Sequence, residues 1–258
     1  MNGHAAKLAI TALGRVKRVR PGDDLCALAL DSLADNGETL QDGDILVLAQ
    51  KIVSKSESRY ADLGAVKPSA KALKLAGDVN KDARLVELIL GESREIVRHR
   101  PGVLIVVHRL GYVLANAGID ASNIDPEYGD DTVLLLPKDP DASAKDLRSK
   151  ILETTGVKIG VVINDSLGRA WRNGTIGVAL GVAGLPGLLD LRGREDLMGR
   201  ELRVSEVGVA DEIAAAASIV MGQADEGRPL VHVRGFPYPP ADGAGAELIR
   251  DRELDLFR

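Results

Sequence analysis

Apolar positions along the chain follow two rhythms. Short continuous runs, bounded by glycine, proline or charge, predict strands buried on both faces at Ile45 to Ala49, Val103 to Val107 and Val161 to Asn164. Weaker runs at Lys7 to Leu13, Tyr112 to Leu114, Val133 to Leu136, Leu202 to Val207 and Pro229 to Val233 predict further strands, with Gly111 turning one onto the next. Between them the apolar residues recur at helical spacing. Leu25, Leu28, Leu30 and Leu33 predict a helix after the turn Pro21-Gly22, capped by Asp23 or Asp24 and stopped by Asn36-Gly37. Pro68 to Glu92 predicts two helical pieces separated at Gly77. Leu147, Ile151 and Leu152 mark a helix capped by Asp141 or Ser143 and ended by Gly156, and Val209 to Met221 an alanine-rich helix closed by Gly222.

Strands and helices in alternation predict a mixed α/β (α+β) fold, with sheets flanked by helices. At 258 residues the chain has room for one large domain or two smaller units. From Ile176 to Leu185 glycine or alanine alternates with branched residues, so backbones or a ligand approach closely there. The proline-rich end, with Pro237, Pro239 and Pro240, predicts an arm over the surface or over a partner subunit.

Charge and cysteine content narrow the function. A net charge of -5 argues against a general nucleic-acid binder, because such a surface repels the phosphate backbone. The single cysteine, Cys26, lies on an apolar helix face and excludes both an intrachain disulfide and a cysteine-based zinc cluster, which fits a reducing cytoplasm. No apolar run approaches the roughly 20 residues that span a bilayer, and no secretion signal opens the chain. The expected partners are therefore small molecules, with neither nucleic acid nor membrane among them.

The densest chemistry is V-V-I-N-D-S-L-G-R-A-W-R-N-G, Val161 to Gly174. A strand delivers Asp165 and Ser166 into a turn expected at Gly168, and Arg169 and Arg172 bracket Trp171. Asp120 is delivered by a second strand in the same way. Two carboxylates at strand ends, with the Ser166 hydroxyl, suit a hard divalent cation; the alternative is that each aspartate caps its own turn. Lys51, Lys55, Arg169 and Arg172 suit phosphate oxygens, although most basic side chains, including the run Arg15 to Arg20, are solvated surface. Trp171 either stacks on a ring system or fills the core. His4, His99, His108 and His232 lack metal-binding spacing and are expected to be structural. Neither a G-x-x-x-x-G-K-[ST] loop nor a G-x-G-x-x-G after the first strand is present, so a nucleotide is held by other means than a P-loop or Rossmann site.

Five blocks in order, K-I-V-S-K at Lys51, R-L-G at Arg109, A-G-I-D-A-S-N at Ala117, N-D-S-L-G-R-A-W-R-N-G at Asn164 and V-A-D-E-I-A-A-A-A at Val209, closely resemble the coenzyme F420-0:L-glutamate ligase family. The resemblance runs from about Arg20 to Gly235. It implies a GTP-dependent amide ligase that adds L-glutamate to coenzyme F420-0 through an acyl phosphate. It further implies a homodimer with an unusual α/β fold and two divalent ions, Mg²⁺ or Mn²⁺, with K⁺ as a further candidate. By position, Asp120 and Asp165 match ligands of one metal, and Ser166 and Gln223 ligands of the second. Gln50, Lys55, Asn123 and the segment Met221, Gly222, Gln223, Ala224, Asp225, Glu226, Gly227 and Arg228 match nucleotide contacts, and Lys55, Asp165, Arg169 and Arg172 are the expected catalytic groups. Residues 1–258 then form one ligase-like domain. One departure stands out: Val16-Lys17-Arg18-Val19 replaces the family's usual G-[LI]-P-x-[IFL] segment. The alternatives are an amide ligase for a different carboxylate and an inactive nucleotide-binding homologue.

Overall fold

A computed structural model describes residues 6–256. The chain runs through β1 (Ala9–Ala12), α1 (Leu25–Asp35), β2 (Ile45–Ala49), α2 (Gln50–Ser56) and β3 (Tyr60–Asp62), then α3 (Ala70–Val79) and α4 (Ala83–Gly91). It continues with β4 (Ser93–Arg100), β5 (Val103–His108), β6 (Val113–Ala115), β7 (Thr132–Leu134) and α5 (Pro140–Thr155). The last part holds β8 (Gly160–Arg169), β9 (Arg172–Ala183), β10 (Leu189–Asp190), β11 (Glu206–Val207), α6 (Val209–Met221) and β12 (Leu230–Arg234). Among the described residues no helix is long and apolar enough to cross a membrane.

Five strands form a mixed sheet in the order β1-β12-β2-β8-β9, in which only β2 and β8 run parallel. This is neither a Rossmann nor a P-loop arrangement, both of which rest on mostly parallel sheets. Side chains alternate along each strand. Leu46, Leu48, Val161 and Ile163 enter a core closed by α1 and α5, whereas Ile45, Val47, Val162 and Val231 enter a second core closed by α6. Two apolar layers, one on each face, explain the unbroken apolar runs of β2 and β8. A separate antiparallel sheet, β4-β5-β6, carries α3 and α4 on its own core around Val86, Ile89, Leu104 and Val106.

The alternation of small and branched residues in β9 reflects helix packing. A Cβ at Gly177 would strike Ser218 Oγ and the Ala214 carbonyl of α6, and one at Gly181 would strike Pro140 at the start of α5. The proline-rich arm lies on its own chain, where Gly245 N donates to Asp141 Oδ1 at 2.6 Å and Tyr238 Oη reaches the Asp44 carbonyl at 3.3 Å.

Several local expectations are corrected. The break between the two helices falls at Asn80, which takes the left-handed conformation (φ 51°), and Gly77 lies inside α3. Asp139, not Asp141 or Ser143, caps α5, because Pro140 takes the first helical position. Asp141 instead accepts from Val182 N at 2.8 Å and from the arm. The expected strand from Leu202 shrinks to Glu206–Val207. Strand β8 does not turn at Gly168; it pairs with β9 through to Arg169, and Ala170-Trp171 makes the hairpin turn, with Trp171 left-handed (φ 64°).

One buried polar cluster fixes strand pairing. Asp44, 2% exposed just before β2, accepts from Arg234 Nε (2.9 Å) and Nη2 (2.7 Å) of β12 and from Gln41 N (2.8 Å), and bonds His232 Nε2 at 2.8 Å. Its carboxyl is held below the usual range: burial opposes this, and the bonds from Arg234, His232 and Gln41 outweigh it. His232 is thus structural. So is His108, which is fully buried, accepts from Leu110 N at 3.1 Å and lies 3.4 Å from Glu92. His4 lies outside the described residues.

Candidate active site

The site begins where β2 ends. Ala49 pairs with Asn164, the last β8 residue that β2 covers. Beyond Asn164 the edge of β8 facing β2 is no longer paired, while β9 still holds the other edge. A cavity of about 630 Å³ occupies this crevice at the carboxyl ends of the two parallel strands, the position that favours ligand binding in open α/β sheets.

Successive β8 side chains point in opposite directions. Asn164 and Ser166 face α6: Asn164 Nδ2 donates to Ser218 Oγ at 3.1 Å, and Ser166 Oγ donates to Gln223 Oε1 at 2.7 Å. Asp165 points the other way, and its Oδ1 accepts the Ser166 backbone N–H at 2.8 Å. Asp120 lies outside the strands, beyond β6. After β6 the chain makes three consecutive left-handed residues, Asn116, Ala117 and Gly118, and Asp120 then pairs through its backbone with Leu134. This turn, rather than simple strand extension, aims Asp120 at the cavity. The structure thus brings Asp120, Asp165, Ser166 and Gln223 to one cavity.

The basic side follows from α2, which starts directly after β2. Lys51 Nζ lies 2.7 Å from Asp120 Oδ2 and 2.6 Å from Ser122 Oγ, and Lys55 Nζ donates to the Asn123 carbonyl at 2.6 Å. Gln50 is buried and accepts from Ser54 Oγ at 2.9 Å. Opposite them, the chain leaves α6 through Gly222 (φ 81°), and the loop to Arg228 is braced by Glu226, which accepts from Ala224 N at 2.9 Å. All of Met221 to Arg228 lines the cavity, as do Gln50, Lys55 and Asn123.

The two carboxylates differ electrostatically. Burial pushes Asp165 up to about 7; the Ser166 N–H and the Lys51 charge oppose this, and the charge of Asp120 adds to it. Asp120 is also partly desolvated, yet its bonds with Lys51 and Ser122 bring it below the usual carboxylate range. Lys55 is lowered first by burial and then by the neighbouring Lys51 charge. Crowded charges of both signs in a cleft mark a functional site.

Arg169 and Arg172 face each other across the exposed end of the β8–β9 hairpin and are not among the cavity-lining residues. Trp171, at the same tip, is 82% exposed, so the core-packing expectation fails. The basic run is exposed as expected, and its part from Val16 to Arg20 also lines the cavity: Arg18 pairs with Asp125 at 3.0 Å and Arg20 with Glu127 at 3.7 Å. The unusual segment Val16 to Val19 is therefore part of the wall. Sequence patterns missed the stacked rings of Tyr60 and Tyr128, 4.4 Å between centroids, which line the same cavity. They also missed Ser122, although it lies inside the A-G-I-D-A-S-N block.

Among the described residues no group of three or more His, Cys, Asp or Glu side chains forms a metal cage. The donor set is instead two carboxylates, a hydroxyl and an amide. Beside them the Oδ1 of Asn164, 3% exposed, has no hydrogen-bond partner within the protein. Such a set fits a hard ion that takes one or two carboxylates and completes its shell with water and substrate oxygens.

Residues 14–235 match the family model described as F420-0:Gamma-glutamyl ligase. The coenzyme F420:L-glutamate ligase of Methanothermobacter thermautotrophicus is 49% identical over 242 residues, covering 93% of this chain and 94% of the relative. The protein of the same name from Methanopyrus kandleri is 45% identical over 246 residues, 94% of each chain. That of Archaeoglobus fulgidus is 41% identical over 240 residues, 93% of this chain and 92% of its own. The family match takes in every element that walls the cavity, and from it we conclude that this chain belongs to the F420-0:gamma-glutamyl ligase family.

Proposed function

We propose that this chain is a GTP-dependent amide ligase that joins L-glutamate to coenzyme F420-0 in coenzyme F420 biosynthesis. The relatives' printed name supports a ligase joining L-glutamate to a coenzyme F420 species, and the family description supports F420-0 as the acceptor. The observation that carries it to this chain is the convergence of Asp120, Asp165, Ser166 and Gln223 with Lys51 and Lys55 on one cavity.

A carboxylate is a poor electrophile, so it needs activation before an amine can displace its oxygen. In this reading the acceptor carboxylate attacks the γ-phosphorus of GTP, the bond from that phosphorus to the bridging oxygen breaks, and GDP leaves. The glutamate nitrogen then adds to the carbonyl carbon of the acyl phosphate. The carbon–oxygen bond breaks, phosphate departs, and the nitrogen gives up a proton to solvent.

Asp120 and Asp165 would hold one divalent ion, Mg²⁺ or Mn²⁺, and Ser166 with Gln223 a second, whose charge offsets that on the phosphate oxygens. The chain's own groups do the rest. Lys55 and Arg228 bring positive charge to a phosphate. Gln50, Asn123 and the backbone from Met221 to Arg228 supply polar contacts along the nucleotide. Arg169 and Arg172, at the hairpin tip, would reach a site from a second copy of the chain, which goes with a homodimer.

The protein incubated with GTP, Mn²⁺, L-glutamate and coenzyme F420-0 should give a product heavier by one glutamyl unit and release GDP; no product under varied metals would sink the assignment. The Val16 to Val19 segment on the cavity wall favours one second reading, a ligase for a different carboxylate. GDP release compared across candidate acids separates the two. Tight GTP binding without GDP release from any acid and amine would identify an inactive homologue.

A further inference from the structure

Lys51 is the second residue of α2, so the end of β2 fixes its backbone. Its side chain is only 26% exposed and reaches across to Asp120 and Ser122. Asp120 is thereby satisfied on both oxygens: Oδ2 by the Lys51 ammonium at 2.7 Å, and Oδ1 by the Ser122 N–H at 2.6 Å. A cation that uses Asp120 must compete with an ammonium already in place. The same positive charge acts on Asp165 and on Lys55, so one side chain stands electrostatically between the carboxylates and the other lysine.

We infer that Lys51 is a resident counter-ion that competes with a divalent cation for Asp120, and so sets how tightly the cavity holds metal; this rests on the metal site proposed above. Two carboxylates and one ammonium carry a net charge of minus one, whereas the carboxylates alone would carry minus two and repel each other. Lys51 thus keeps the site assembled without metal. When the carboxylate is claimed by a stronger cation, the released ammonium is still tethered at the cavity and becomes a donor for an anionic ligand.

The test measures Mn²⁺ alone, without nucleotide, by the electron paramagnetic resonance signal of the free ion at about pH 8. Lys51→Met should bind Mn²⁺ about three- to tenfold more tightly than the unaltered protein, the scale of one partly exposed ion pair acting on a doubly charged ion. In EDTA the same variant should melt at a lower temperature. Lys51→Arg should keep the original affinity within about twofold, since the charge remains. Ser122→Ala, which removes the hydroxyl that anchors the ammonium and also touches Asp120, should shift affinity in the same direction by less, and it decides the question if Lys51→Met fails to fold. Unchanged or weaker Mn²⁺ binding in the deciding variant overturns the inference. Absence of Mn²⁺ binding in the unaltered protein overturns the metal site itself, a result distinct from equal binding by both.

Discussion

The hydroxyl of Ser166 and the side-chain carbonyl of Gln223 lie 2.7 Å apart although 57 positions separate them in the chain. This bond closes the cavity wall between β8 and the loop that follows α6. It is exposed, so its contribution to stability is small, about 0.5 kcal/mol. Gln223→Ala should therefore shift the melting temperature by less than about 3 °C. Under the proposed function it should lower metal-dependent GDP release by at least about tenfold, the scale of a lost oxygen donor that acts on transition-state charge. A large melting shift with full turnover would make the pair a structural brace.

Asp165→Asn separates charge from shape. Burial pushes the Asp165 carboxyl up to about 7, so above its ordinary range the buried charge opposes folding rather than supporting it. The amide should leave stability at neutral pH equal or higher in a urea titration. Turnover should fall by about a hundredfold or more, because a neutral oxygen holds a divalent ion far less well. Retained turnover would remove Asp165 from the chemistry.

Glu92 gives a pH signature away from the cavity. It accepts from Arg59 and Arg109, each at 2.9 Å, and has His108 at 3.4 Å. Burial works against its charge, but the nearby His108 and the bonds from Arg109 and Arg59 prevail and hold it at about 2. A carboxyl lowered on folding stabilises the native state fully above its unfolded value, and that support is lost as pH falls toward the folded value. Glu92→Gln should cost on the order of 2 kcal/mol at about pH 7, and the difference should shrink to less than half at about pH 3. Urea denaturation at the two pH values checks the sign.

Arg169 and Arg172 form a cross-strand pair of like charges at the hairpin end, which works against pairing, while Arg169 Nη1 donates to the Gly174 carbonyl at 3.3 Å; on this exposed tip both effects are small. The double change to alanine should leave melting unchanged or slightly raised. If the tips serve a neighbouring copy, turnover should drop by about tenfold or more and sedimentation should show a dimer. Full turnover would exclude both arginines from catalysis.

Much of this fold was legible because burial on two faces leaves unbroken apolar runs: β2, β5 and the first half of β8 stand out, as does α6 with its alanines and closing Gly222. Strand β4 was not legible. Ser93 to Arg100 is mostly polar and pairs with β5 through two register shifts, so its conformation is set by its neighbour rather than by its own pattern. Gly168 misled in the opposite direction, since a glycine signals a turn but here β8 stays paired with β9 past it, through a register shift between Gly168 and Arg169. In the site, residue types announced the carboxylates and lysines. Their pairing did not show: Lys51 meets Ser122 across 71 positions, and only the tertiary fold joins them.

The Asp44 cluster has a consequence for the cavity at the far end of the strands it joins. Asp44 ties the start of β2 to the end of β12, while Ala49 N, at the other end of β2, donates to the Pro229 carbonyl at 2.8 Å. The lysines of α2 hang from β2, and the Met221 to Arg228 loop feeds into β12, so opposite walls of the cavity are carried by two rods pinned at both ends. Strand pairing can shift only by whole residues, and a single step would turn every side chain to the wrong face. The spacing between these walls is therefore quantised: it cannot drift by fractions of an ångström through strand slippage, and fine adjustment of the cavity is left to side chains and loops.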